Sequence, residues 1–352
     1  MGITKLADLI REDAPGAVSH KDISDYAGKV IALDASIVLN QFRAAVPSLG
    51  FLSPLTGVFF RTLTFLEHDI KPVFVFDGKP PWEKRAVVSG TMRLDLWLIL
   101  ALLIQDPSSQ TKDCLHLLKL LGVPIIQAPG EGEALCAQLV RDGTVDAVAS
   151  EDMDTLPFGG NVLIRQLNAK KDSDVIEYSL PKLLGILKIS HEEFVDLCIL
   201  LGCDFCDKIA GLGPKRALSL IREHRTIENV VLHVNRRTHP VPHFWKYKDA
   251  RKLFLNAPQT VVPELVWTEP DEEALVEFLC RAKHVKEHRV RSRMEKFRQM
   301  REKKRKDRED EKAAGHGRQT RMEDFFRVTR KRQQQSAAMK ENSVISVSEA
   351  FP

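Results

Sequence analysis

A chain of 352 residues, 43% of them hydrophobic, has enough apolar surface for one large core or two smaller ones. Its longest apolar run, LWLILALLI at 96–104, falls far short of the roughly 20 residues that cross a bilayer, and MGITKLADLIRED lacks the basic start and long apolar segment of a secretory leader. The net charge of +4 hides an asymmetry: residues 281–332 hold 21 Lys/Arg against 9 Asp/Glu, a local +12 that leaves −8 for the rest. The basic stretch predicts a polyanionic partner, and the acidic remainder predicts carboxylates with a local task.

In chain order, KVIALDAS (29–36) and KPVFVFDGK (71–79) read as apolar strands that end in Asp34 and Asp77. GVPIIQA (122–128) is a third strand, followed by a helix over PGEGEALCAQLVRDG and a fourth strand over VDAVAS (145–150). Strands apolar throughout and alternating with helices predict an α/β fold with a largely parallel sheet covered on both faces. From about Ser179 the pattern turns helical, with HEEFVDLCILLG (191–202), PKRALSLIREH (214–224) and DEEALVEFLCRAKHV (271–285). Residues 286–312 are nearly all charge and read as a solvated helix or a disordered stretch, so the expected boundary between the core and a flexible basic tail is 285/286. Six cysteines are scattered, and Cys203 and Cys206 make a lone C-x-x-C. A structural zinc site takes four ligands, so these two are read as reduced thiols of an intracellular protein.

Ligands of open parallel sheets bind outside the carboxyl ends of the strands. Asp34, Asp77 and the Asp152/Asp154 pair each follow a strand; Glu131 and Glu133 open the helix after another; Asp204 follows the 191–202 helix. One such acid is ordinarily a solvated turn or a helix cap. Six or seven on one edge predict a cation site, because crowded carboxylates repel unless something pairs with them. Carboxylates without a nearby His suit Mg²⁺ or Mn²⁺, and two such ions about 4 Å apart would both relieve the crowding and support phosphoryl chemistry. A phosphatase of the haloacid-dehalogenase type would need D-x-D where this chain has LDAS.

MGITKLADLI, IALDAS, VFVFDGKPP, APGEGEA, ASEDMDTLPFG, FVDLCILLGCDFC and IAGLGPKRAL occur in that order, and together they resemble the XPG-like structure-specific nucleases of the flap endonuclease type. The likeness covers residues 1 to about 88 and 113 to about 285, with nuclease parts over about 1–110 and 113–225 and a helical part to 285. It implies a Mg²⁺-dependent two-metal endonuclease of DNA replication and repair that cuts 5′ flaps through an activated water. The implied metal ligands are Asp34, Asp77, Glu131, Glu133, Asp152, Asp154 and Asp204, and Lys84 matches a lysine that reaches the scissile phosphate. Residues 209–218 resemble a helix–two-turn–helix element, in which Gly211, Gly213, Lys215 and Arg216 would meet the DNA backbone, with Glu131 also against the DNA and K⁺ in the 209–214 loop. QTRMEDFF (319–326) fits a sliding-clamp (PCNA) motif: one turn gathers Met322, Phe325 and Phe326 into an apolar plug beside Gln319. The expected assembly is a monomer on a trimeric clamp. KKRK (303–306) and RKR (330–332) read as nuclear-import or DNA-contact patches, with nucleolus and mitochondria left open.

The likeness breaks between Asp77 and Cys114, where the family carries a longer, charged arch for the threaded strand. Here the middle is LWLILALLI, Thr91 stands where the arch arginine falls by counting, and Arg85 and Arg93 are nearby alternatives. The loop 41–59 is also shortened. These departures support a second reading, a DNA- and clamp-binding paralogue with impaired cleavage. A 5′ exonuclease or junction resolvase of the same superfamily is a third.

Overall fold

The computed structural model describes residues 2–36, 38–39, 54–79, 109–167 and 175–313. The strands are β1 (Val18–Lys21), β2 (Val30–Asp34), β3 (Lys71–Phe76), β4 (Ile125–Gln127), β5 (Ala147–Ala149), β6 (Val162–Arg165) and β7 (Val175–Ser179). They form one sheet in the order β1-β7-β6-β5-β2-β3-β4. From β6 to β4 every neighbouring pair is parallel, and β7 is antiparallel to both β6 and β1. The four apolar runs expected to be strands are β2, β3, β4 and β5, adjacent at the centre and one edge.

Their uniform hydrophobicity has a direct cause. Successive side chains of a strand point to opposite faces, and here both faces are covered. Ala32, Val73, Val75 and Val148 enter one apolar cluster; Ile31, Leu33, Phe74, Phe76, Ala147 and Ala149 enter the other. The first face is covered by α1 (Leu6–Asp13), α4 (Gly132–Arg141), α5 (Leu180–Leu187), α6 (His191–Leu201), α7 (Pro214–His224), α8 (Ile227–His233) and α9 (Tyr247–Leu255). The second is covered by α2 (Pro54–Glu67), α3 (Ser109–Leu120), α10 (Glu272–Val276) and the first turns of α11 (Glu287–Ala313). The single helix expected over 271–285 is α10 followed by a π-helical turn, Glu277–Ala282.

The core does not stop at 285. The compact unit runs from Met1 to Phe297. Val290, Met294 and Phe297 lie three and four residues apart on one face of α11 and are buried. Arg293 on the same stretch binds both carboxylate oxygens of buried Glu67 and the Thr64 hydroxyl. Charge counting hid this anchor, because three apolar residues among so many charged ones barely alter the composition. Beyond Phe297 the described residues, to 313, are helical.

Candidate active site

Because β5, β2, β3 and β4 are adjacent and parallel, their carboxyl ends share one edge. Asp34 is the last residue of β2 and is buried, and its Oδ1 accepts the Ser36 N–H at 2.8 Å. Asp77 follows β3. Its Oδ1 accepts the Gly132 N–H at 2.7 Å, and its carbonyl accepts from the Gln127 side chain. That bond ties the start of α4 to the end of β3 and carries Glu131, at the N-cap, and Glu133, in the first turn, to the same edge. A Cβ on Gly132 would stand 2.8 Å from Asp77 Oδ1, so only glycine fits between the two acids.

Asp152 and Asp154 lie in the turn after β5 and are both buried. The turn is knitted by its own side chains: Asp152 N–H donates to Ser150 Oγ at 3.0 Å, and Asp154 N–H donates to Asp152 Oδ1 at 3.0 Å. Asp204 comes from the turn after α6. A capping box at Ser190 and Glu193 starts that helix, and every residue from Phe194 to Leu201 is buried.

The electrostatics resolve this edge into two acid pairs. Burial, then the charge of and hydrogen bond with Asp34, then the charges of Asp77 and Asp152 raise Glu133 well above the usual carboxylate range. Burial, then the charge of and hydrogen bond with Asp152, then Asp204 raise Asp154 in the same way. Like charges this close are disfavoured together, so each pair calls for a proton or a counter-ion. Asp154 Oδ1, wholly buried, has no hydrogen-bond partner. Among the described residues no three His, Cys, Asp or Glu side chains form a closed metal-binding group. The all-oxygen donor set and the unpartnered Asp154 oxygen nevertheless fit a hard cation that would offset the crowded charge.

Sequence reading missed Gly2 as a site residue. Its φ is +76°, and a Cβ there would stand 1.7 Å from Asp152 Oδ1 and 2.4 Å from Asp154 Oδ1. The segment is hung on the far side of the site, where Thr4 N–H donates to Gly202 O at 3.1 Å. Its only sequence signal was a glycine in a motif at the chain start.

The loop before α7 divides the roles given to its residues. Gly211 has φ +73° and packs against His239, so it needs glycine. Gly213 is the N-cap of α7 with φ −81°, and a Cβ there would meet open space. Lys215 is held by α1, 2.6 Å from Asp13 and 3.0 Å from Glu12, while Arg216 is exposed. Lys84, Arg85, Thr91, Arg93, the 96–104 run, the clamp motif with Gln319, Met322, Phe325 and Phe326, and the 330–332 patch lie outside the described residues.

A family model for the XPG N-terminal domain matches residues 1–90, and one for the XPG I-region matches residues 122–204. The chain is 62% identical over 346 residues to a probable flap endonuclease 1 homolog of Danio rerio, covering 97% of this chain and 98% of that one. It is 44% identical over 324 residues to flap endonuclease 1 of Xiphophorus maculatus, covering 83% and 85%. The solved catalytic core of Rad2 in complex with DNA substrate superposes with a TM-score of 0.68 at 23% identity, over 84% of this chain and 100% of that one. On these matches the chain belongs to the flap endonuclease family of XPG-type nucleases and is a structure-specific 5′-flap endonuclease.

Proposed function

We propose that the seven carboxylates act as one two-ion centre for Mg²⁺, with Mn²⁺ able to substitute, in a nuclease of DNA replication and repair. The observation that carries this is the convergence of buried Asp34, Asp152 and Asp154 with Glu133 on one sheet edge, where burial and mutual charge raise Glu133 and Asp154 and Asp154 Oδ1 has no hydrogen-bond partner. Bound divalent ions supply charge neutralisation and water activation for phosphodiester hydrolysis. Asp34, Glu133, Asp152 and Asp154 hold the buried side of the site, while Asp77, Glu131 and Asp204 close its outer side. Carboxylates ligate cations only when deprotonated, so ion binding tightens as pH rises. Lys84, seven residues beyond Asp77, stabilises charge developing on the phosphate.

Duplex DNA meets the Gly211 loop and the exposed start of α7, where Arg216 adds charge and K⁺ sits at 209–214. Lys215 contributes mainly by fixing α7 to α1. The plug of Met322, Phe325 and Phe326, anchored by Gln319, docks the monomer onto the trimeric sliding clamp (PCNA). The clusters at 303–306 and 330–332 support import into the nucleus.

The test is cleavage of an end-labelled duplex bearing a 5′ flap. Cutting near the junction with Mg²⁺ is expected, with none in EDTA and none for Asp152→Ala. Equal cutting in all three would remove the metal centre. The impaired-paralogue reading predicts duplex binding without cutting by the unaltered chain.

A further inference from the structure

Cys203 and Cys206 flank Asp204 in one tight turn, and the proposed metal centre assigns these sulfurs no role. Their backbones pair as an isolated antiparallel bridge, and their Sγ atoms lie 3.9 Å apart. Partners across such a bridge have Cα atoms about 4.5–5.5 Å apart, inside the roughly 4.4–6.8 Å that a disulfide accepts. The main chain is therefore close to a bonded geometry, and drawing the sulfurs from 3.9 Å to about 2.05 Å tightens the turn that carries Asp204. The other three buried cysteines, Cys114, Cys136 and Cys198, are at most 1% exposed, whereas Cys203 is 8% and Cys206 4% exposed. The pair falls two ligands short of a structural zinc site, and no third metal-binding side chain joins it among the described residues.

The turn is coupled to the acids on both sides. Asp204 follows Cys203 directly in the turn after α6. The preceding residue, Gly202, holds the Gly2–Thr4 segment against Asp152 and Asp154. On the other side, the Trp245 indole N–H donates to Asp207 O and closes over the turn.

We propose that Cys203 and Cys206 are a dithiol–disulfide pair whose oxidation slows flap cleavage by re-aiming Asp204, the residue between them that directly follows Cys203. A peroxide is the oxidant class that fits a nearly covered turn. Cys203 Sγ attacks the peroxide, the O–O bond breaks, and a sulfenic acid and one water form. Cys206 Sγ then displaces the sulfenic oxygen, which leaves as a second water while the S–S bond forms. Two thiols thus give up two electrons and two protons, and the peroxide accepts them. A dithiol reductant reverses the step by exchange.

The cleavage arm of the test rests on the proposed metal role of Asp204; the mass arm does not. Full-length protein is reduced, freed of reductant and treated with hydrogen peroxide. It is then digested without reduction for mass analysis and assayed in parallel on 5′-flap DNA with Mg²⁺. We expect the peptide containing Cys203 and Cys206 to lose two hydrogens, and cleavage to fall by about tenfold or more, since an ångström-scale misplacement costs up to about 10²-fold. Dithiothreitol should restore both. Cys206→Ser should cut like the reduced parent and keep its rate in peroxide, and Cys206→Ala provides a second such variant should the first fold poorly. A peptide mass that does not change overturns the proposal. So does a disulfide that leaves cleavage unaltered, or a loss of cleavage equally large in Cys206→Ser. Reduced parent protein that does not cut counts against the metal centre, and the peptide mass still decides the pair.

Discussion

Gly2 shows how one missing side chain can define a site. A Cβ at that position would fall inside the van der Waals envelope of Asp152, and the positive φ disfavours any L side chain. Gly2→Ala must therefore displace either its own segment or the Asp152/Asp154 turn. We expect cleavage to fall by about 10²-fold with the melting temperature nearly unchanged, measured by single-turnover assay beside thermal unfolding. Cleavage at the parent rate would mean that the segment lies elsewhere. The seven carboxylates were legible in the sequence because each follows an apolar run that predicts its place at a strand or helix end. Gly2 was not legible, because its place depends on Thr4 reaching Gly202, a contact no local pattern announces. Lys215 illustrates the reverse case. A lysine at a helix start beside a glycine loop suggests phosphate, yet two carboxylates of α1 occupy it.

At the scale of elements, α6, α8 and α9 are joined by a polar network inside an apolar packing. Arg251 on α9 forks onto Asp196 of α6, at 2.6 and 2.7 Å, and onto Glu228 of α8, at 2.9 Å. Hydrogen bonds from Arg251 bring Glu228 down to about 2, whereas burial outweighs the same arginine at Asp196 and raises it. A depressed carboxyl contributes stability above its ordinary value and loses it as pH falls through the folded value. The contribution of Glu228 is thus present above 4.5 and lost toward 2. Glu228→Gln should be less stable than the parent at neutral pH, and the gap should close across that window in urea titrations. A pH-independent gap would mean that the charge on Glu228 is immaterial. On α11, Met294→Ala should cost about 2–4 kcal/mol, because the side chain is 2% exposed within the second cluster. A loss under about 0.5 kcal/mol would place it on the surface. The strands β2 to β5 were legible because burial on both faces leaves an unbroken apolar run. β1, VSHK, was not: it sits at the sheet edge with a mixed sequence, and long-range pairing with β7 makes it a strand.

The molecule as a whole couples stability to the site. Crowded acids resist folding until something neutralises them, so Mg²⁺ should raise the melting temperature of metal-free protein. The expected gain is about 2.7 kcal/mol at one hundred times the dissociation constant. Asp154→Asn should blunt that response and abolish cutting. Scanning fluorimetry of metal-free protein with and without Mg²⁺ reads both, and an unchanged parent would count against an ion at this edge. The fold class was legible because alternating strands and helices leave few ways to bury the sheet. The extent of the core was not, since the anchor at Val290, Met294 and Phe297 is a face of a helix rather than a composition.

The sheet order also bears on synthesis. β2 pairs with β5 through Ile31 and Ala147, and β1 pairs with β7 through Val18 and Tyr178. The acids run from Asp34 to Asp204, so no shorter nascent chain holds all of them. A nascent chain that ends before Asp204 therefore lacks one carboxylate of the proposed centre, and one that ends before Phe297 lacks the end of the compact unit. Long-range pairing of this kind is slow to close, because loop entropy is lost before the contacts form. If the acids act as proposed, C-terminal truncations ending before Asp204 are expected to bind no ion and to leave flap DNA uncut.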